Sequence, residues 1–178
     1  MSILVLGGAR SGKSRYAESL AGAEKFYIAT AQAFDAEMQA RIAAHRAQRG
    51  QGWQTFEAPL DVADQLQALD ARGRFILIDC LTLWISNLMH AKRDVGAEVE
   101  KLCHMLELAK AKVVLVSNEV GQGIVPENAL ARAFRDQQGF ANQRLAQSAD
   151  EVVLVVAGLP MVLKKARRKS GSGKTTRS

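Results

Sequence analysis

Apolar and polar positions fall along this chain in two kinds of block. Short unbroken apolar runs read as buried strands at residues 3–6 (stopped by Gly7-Gly8), 26–29, 75–78, 113–116 and 152–156, with 161–163 as an added edge strand. Between them apolar residues recur at helical spacing. Ala17, Leu20 and Ala21 share one face, and Phe34, Met38 and Ile42 stack in a helix expected from about Asp35, as N-cap, to the Gly50-Gln51-Gly52 breaker. Asp61 is read as the cap of a helix that buries Val62, Leu66 and Leu69. Val95, Val99, Leu102 and Leu106 mark another, and Leu130, Phe134, Ala141 and Leu145 a long one expected to be disturbed at Gly139. Fully apolar strands alternating with helices predict one α/β domain, a mostly parallel sheet covered by helices on both faces.

The chain has 178 residues, enough to bury a sizeable core, with 48% apolar and 24% charged positions. No apolar run approaches the roughly 20 residues of a membrane helix, and no basic, apolar leader precedes the first strand, so no membrane span and a cytoplasmic location are expected. Two cysteines, Cys80 and Cys103, form neither a disulfide framework nor a metal spacing. The net charge of +6 suggests nucleic acid until its position is considered. Seven of the 24 basic residues lie in 164–178 with no acid among them, leaving 17 basic against 18 acidic side chains in the rest. The division expected is a folded domain over 1–163 and a basic, disordered tail over 164–178, with no nucleic-acid partner for the body.

One segment carries chemistry outright. Gly7-Gly8-Ala9-Arg10-Ser11-Gly12-Lys13-Ser14 matches G-x-x-x-x-G-K-[ST] at every fixed position, just after a strand and opening a helix. Its N–H groups would cradle phosphate oxygens, Lys13 would reach the β- and γ-phosphates, and the Ser14 hydroxyl would ligate Mg²⁺. The fold class is therefore a three-layer P-loop NTPase domain. Ser170-Gly-Ser-Gly173-Lys174-Thr175 imitates the end of such a loop, but Arg168 stands where the first glycine belongs and no helix can follow. Asp79, ending a strand, is read either as a Mg²⁺ ligand through water or as a cap for the next helix; Glu119, at another strand end, is a weaker candidate of the same kind.

Arg41, His45 and Arg49 are spaced at four and would share a helical stripe. Guanidiniums flanking an imidazole suit a polyphosphate site in which the imidazole attacks phosphorus; equally, His45 continues the Phe34-Met38-Ile42 row and could simply pack. His90 and His104 have no such surroundings. A guanine-reading N-K-x-D is missing: Ser117-Asn-Glu-Val-Gly121 has neither its lysine nor its aspartate. The residues alone leave open a plain P-loop kinase or NTPase, and a nucleotide-regulated binding protein whose tail touches nucleic acid.

The phosphate loop, Tyr27-Ile-Ala-Thr-Ala-Gln32, the Arg41–Glu57 block with His45, Trp53 and Glu57, Asp79-Cys-Leu-Thr82, Ser117-Asn-Glu-Val-Gly-x-Gly-Ile-Val-Pro126 and Asn142-Gln-Arg-Leu-Ala146 occur in this order. Together they resemble the bifunctional adenosylcobinamide kinase / adenosylcobinamide-phosphate guanylyltransferase family of cobalamin synthesis, over about residues 2–163. The resemblance implies two reactions. A nucleoside triphosphate, ATP or GTP, phosphorylates the aminopropanol hydroxyl of adenosylcobinamide. GTP then gives GMP to a histidine, matched here by His45, and adenosylcobinamide phosphate takes it up as adenosylcobinamide-GDP. It also implies a GTP site of Gly7–Ser14, Thr30, Ala31, Gln32, Ala47, Gln48, Arg49, Gly50, Glu57 and Asp79, and a homotrimer. Where the family usually has proline after Arg49, this chain has Gly50.

Overall fold

The computed structural model describes residues 1–32, 39, 40, 43, 47 and 49–166. Seven strands form one sheet: β1 Ser2–Gly7, β2 Glu24–Ala29, β3 Trp53–Glu57, β4 Arg74–Asp79, β5 Lys112–Asn118, β6 Glu151–Val156 and β7 Leu159–Lys164. The order across it is β3-β2-β4-β5-β1-β6-β7, all neighbours parallel except the β6–β7 hairpin. Five helices are described: α1 Lys13–Ser19, α2 Val62–Leu69, α3 Leu81–His90, α4 Val95–Leu108 and α5 Ala129–Ser148.

The uninterrupted apolar strands have the physical consequence expected of them, because each strand's alternate residues enter two separate cores. Leu4, Leu6, Ile76, Ile78, Val113 and Leu115 face α2–α5 around the fully buried Trp84. Ile3, Val5, Phe75, Leu77, Val114 and Val116 face the other way, against Ala17 of α1. Parallel pairing puts the C-terminal ends of β1–β6, and with them Gly7, Ala29, Asp79 and Asn118, on a single edge.

The structure corrects several local readings. Gly139 does not disturb α5, which runs unbroken for 20 residues from its Asn128 cap, whose side chain accepts from Leu130 and Ala131 N–H. Asp61 precedes α2 but makes no cap bond; its carboxylate is taken by Arg93, which also binds Glu98. Two elements were not foreseen: β3, at the sheet margin, and α3, which starts one residue beyond Asp79-Cys80. Lys164, grouped by charge with the tail, ends β7, and its ammonium donates to the carbonyls of Ala146, Gln147 and Ala149 at the C-terminus of α5. The helix expected from Asp35 to Gly50 lies largely outside the described residues; those described within it, Gln39, Ala40, Ala43 and Ala47, are helical.

Candidate nucleotide-transfer site

The phosphate loop hangs between β1 and α1 and is braced on both sides. Glu119 N–H donates to the Gly7 carbonyl from the end of β5, and Gly158 N–H donates to the Ser11 carbonyl from the β6–β7 turn. Gly7 has no room for a side chain: a Cβ there would lie 2.5 Å from Ser11 Oγ and 2.7 Å from the Val155 carbonyl oxygen. Gly12, at φ +94°, takes a left-handed conformation that L side chains rarely adopt. Arg10 is also left-handed, at φ 56°. Lys13 Nζ reaches back to the Gly8 carbonyl at 3.1 Å, so the cation stands over the loop. Ser11 Oγ is buried with no hydrogen-bond partner among the described residues.

Asp79 leaves β4 on the α1 face and is 8% exposed. Its Oδ2 accepts from the Tyr27 hydroxyl at 3.2 Å. Burial first, and the Asp79 carboxylate second, push the Tyr27 phenol far above its ordinary range, which keeps it protonated and donating. The Arg49 guanidinium stacks on the Tyr27 ring at 3.5 Å, and the Arg49 carbonyl accepts from Trp53 Nε1. Glu18 on α1 feels the same group: burial, then Asp79, raises its carboxyl, with Arg49 and Arg15 opposing. Asp79, Tyr27, Arg49 and Glu18 thus form one charged cluster beside the loop. Asp79 does not cap α3, whose N-cap is Cys80.

The remaining expected residues occupy different situations. Thr30 is fully buried; its hydroxyl donates to the Cys80 carbonyl and accepts from Cys80 N–H, tying the end of β2 to the end of β4. With that hydroxyl committed, Thr30 shapes the edge through its backbone. Ala31 and Gln32 follow it, half-buried. Glu57 is exposed at the end of β3, in register with Ala29. Gly50 lies at φ +72°, a left-handed conformation closed to proline. His45, Arg41 and Gln48 lie outside the described residues, and Ala47 is helical and exposed.

Four further residues shape this edge: Asn87 and Gln138 were not singled out in the sequence, and Thr82 and Asn142 were quoted only as motif residues with no role. Asn87 of α3 donates to the Thr30 and Pro59 carbonyls and holds the β2 and β3 ends together. Thr82 Oγ1 accepts from Asn118 N–H. On α5, Gln138 and Asn142 are buried polar residues on the same stripe as Ala141 and Leu145. Polar side chains at i and i+4 on an otherwise apolar face were the available signal.

The model of one family, cobinamide kinase / cobinamide phosphate guanyltransferase, matches residues 3–163. The chain belongs to that family. It is 47% identical over 169 residues to the bifunctional adenosylcobalamin biosynthesis protein CobP of Pseudomonas aeruginosa, covering 92% of this chain and 98% of the relative. It is 45% identical over 181 residues to CobU of Salmonella typhimurium, covering 92% and 100%. Membership makes it an enzyme of cobalamin biosynthesis with kinase and guanylyltransferase activities on one chain. Among solved structures, an ATPase from the type III secretion system of pathogenic bacteria superposes with a TM-score of 0.51 at 10% identity, over 90% of this chain and 56% of that one. This likeness speaks to the fold, a three-layer P-loop architecture. No helix among the described residues is long and apolar enough to cross a membrane.

Proposed function

We propose that this enzyme phosphorylates adenosylcobinamide with ATP or GTP and then transfers GMP from GTP through a covalent intermediate on His45. In the first reaction the acceptor hydroxyl oxygen bonds to Pγ as the bond from Pγ to the β,γ-bridging oxygen breaks, releasing the nucleoside diphosphate. In the second, an imidazole nitrogen of His45 bonds to Pα and pyrophosphate leaves. A phosphate oxygen of adenosylcobinamide phosphate then displaces the histidine at Pα, giving adenosylcobinamide-GDP. Covalent catalysis of this kind divides one difficult exchange into two easier ones.

The observation that carries this reading is the Arg49–Tyr27–Asp79 chain of contacts. Arg49 lies one helical turn after His45 in sequence, and its guanidinium sits on the ring that binds the carboxylate beside the phosphate loop. Arg49 is thereby fixed beside the loop, on the α1 face, and it is four residues from His45 in sequence. Gly7–Ser14, Thr30–Gln32, Ala47–Gly50, Glu57 and Asp79 make up the nucleotide site in this reading.

The residues present fit Mg²⁺. A small hard cation is held by a few oxygen donors together with substrate phosphates, and Ser14, second residue of α1, and Asp79, last residue of β4, supply a hydroxyl and a carboxylate of that kind. When bound, Mg²⁺ would neutralise charge on the β- and γ-phosphate oxygens. A homo-oligomer, trimeric by the family pattern, is supported by the outer strand β7, where Leu159, Met161, Val162 and Leu163 are all exposed. A cytoplasmic location is part of the same reading.

The test is radiolabel transfer. GTP labelled at the α-phosphate should leave label on the protein, whereas γ-labelled GTP should not. The linkage should be lost in acid and survive alkali, as expected of a phosphoramidate. His45→Ala should abolish labelling and GMP transfer while corrinoid phosphorylation stays measurable. No label on the native protein during turnover would remove the covalent mechanism.

A further inference from the structure

The two reactions differ in one respect that the structure addresses. Phosphorylation uses an alcohol, whose proton must be removed as the new P–O bond forms. Neither half of GMP transfer has such a proton, because a neutral imidazole nitrogen and a phosphate oxygen attack with lone pairs already free. A base that serves this chain should therefore serve the first reaction alone.

Glu119 is built as that base. It stands one residue past the end of β5, and its N–H is fixed on the Gly7 carbonyl, so its backbone is pinned to the phosphate loop. Its side chain is half-buried, with Oε1 accepting from Asn142 Nδ2 at 3.0 Å. Asn142 is held in turn: its Oδ1 accepts from Ser117 Oγ at 2.7 Å and Gln138 Nε2 at 3.0 Å, and its Nδ2 also donates to the Asn118 carbonyl. Gln138 additionally donates to Ser117 Oγ. Ser117, Gln138 and Asn142 are all buried. A fully engaged amide has one orientation, so the donor facing Glu119 is set by the network.

Asp79 and Glu119 also divide the space at this edge. Val114 and Val116 of β5 face α1, as do Phe75 and Leu77 of β4, which puts Asp79 on the α1 side. Glu119 instead meets Asn142 of α5, across the strand ends from the Asp79 cluster. In-line transfer needs the acceptor opposite the leaving group, and Glu119 offers a carboxylate on the α5 side, apart from the Asp79 cluster.

We infer that Glu119 is the general base of the phosphorylation step, taking the acceptor hydroxyl's proton as its oxygen bonds to Pγ and the nucleoside diphosphate departs. Ser117, Gln138 and Asn142 are positioning residues that aim it. The inference rests on the two-reaction reading above and deepens it.

The test compares the full-length wild-type chain with Glu119→Gln, which retains the size and an acceptor for Asn142. Three readouts are needed: protein labelling from α-labelled GTP, phosphoryl transfer from γ-labelled nucleotide to adenosylcobinamide, and GMP transfer to preformed adenosylcobinamide phosphate. Loss of a general base lowers kcat by about 10²–10⁴-fold. That loss should appear in phosphorylation alone, with the KM for nucleotide unchanged, while the other two activities stay within about threefold. Equal losses in all three, or no loss in phosphorylation, overturn the inference. Glu119→Asp, which keeps a carboxylate but withdraws it by one methylene, should phosphorylate faster than Glu119→Gln; equal rates would also overturn it. Asn142→Ala should lower the phosphorylation kcat but not raise the nucleotide KM, and Asn142→Gln should restore less than half of the loss. A wild-type chain that performs none of the three transfers would refute the two-reaction reading itself, a result distinct from any of these.

Discussion

Replacing Gly7 with alanine would force a methyl group to within 2.5 Å of Ser11 Oγ and 2.7 Å of the Val155 carbonyl oxygen. The hydroxyl can rotate away, but the carbonyl belongs to β6, which is paired with β1 at this point. Relief therefore means parting two strands in the middle of the sheet by several tenths of an ångström. Overpacking of this kind costs about 1–3 kcal/mol, while alanine gains about 0.4–1 kcal/mol by restricting the unfolded chain. The net expectation is a loss centred on about 1.3 kcal/mol within a span of about 0–2.6 kcal/mol, lowering Tm by about 2–4 °C for each kcal/mol in a chain of this size. Urea unfolding followed by far-ultraviolet circular dichroism measures it, with Gly8→Ala as the control. A Cβ on Gly8 meets nothing within 4 Å, so that variant should equal wild type in stability or exceed it by up to about 1 kcal/mol. If Gly7→Ala is as stable as wild type, or Gly8→Ala is equally damaged, the steric reading of the loop is wrong.

Lys13→Ala should cut phosphorylation and GMP transfer each by about 10²-fold or more with Tm little changed, since among the described residues the Lys13 ammonium donates to the loop's own Gly8 carbonyl; a folded variant with normal turnover would refute the assigned role. Gly50→Pro should weaken GTP labelling of the protein, because proline cannot hold the φ of +72° found there; unchanged labelling would show that the turn relaxes at no cost. Deleting residues 166–178 should leave Tm and both activities nearly unchanged, since the removed segment has almost no apolar side chains; lost activity at ordinary salt would make the tail part of the site.

Runs such as 75–78 and 113–116 announced strands because a strand buried on both faces has no room for polar residues. β3 was invisible for the opposite reason. Pairing only with β2, it leaves Gln54, Thr55 and Glu57 exposed, so Trp53–Glu57 shows too little apolar pattern to register. α3 was missed because its first residues, Leu81–Ile85, continue the apolar run of β4 with no breaker after Asp79 to separate helix from strand. The phosphate loop was fully legible, being a contiguous motif fixed by backbone demands. The Tyr27–Asp79–Arg49 cluster and the Ser117–Gln138–Asn142 network were not. Their members lie tens of residues apart, and only sheet register and the docking of α5 bring them together. Asp61 was read as a cap because its type and position suit one. Arg93, 32 residues away, claims its carboxylate instead.

The parallel sheet also decides where the chain's ends leave the fold. β1 enters at the edge opposite the phosphate loop, with Ser2 tied to Asp150 just before β6 begins. β7 runs back antiparallel and finishes beside Val152, where Lys164 closes over the end of α5. Both attachment points therefore sit a full strand away from Gly7, Asp79 and Asn118, about 20 Å at 3.3 Å per residue. A tag, a fluorescent label or a fused domain joined before Ser2 or directly after Lys164 starts on the blind side of the molecule. Ser2 and Lys164, separated by β6 alone, are also near enough for a short linker to join them, so a chain ending at Lys164 could be reopened elsewhere as a circular permutant with the transfer edge still facing solvent.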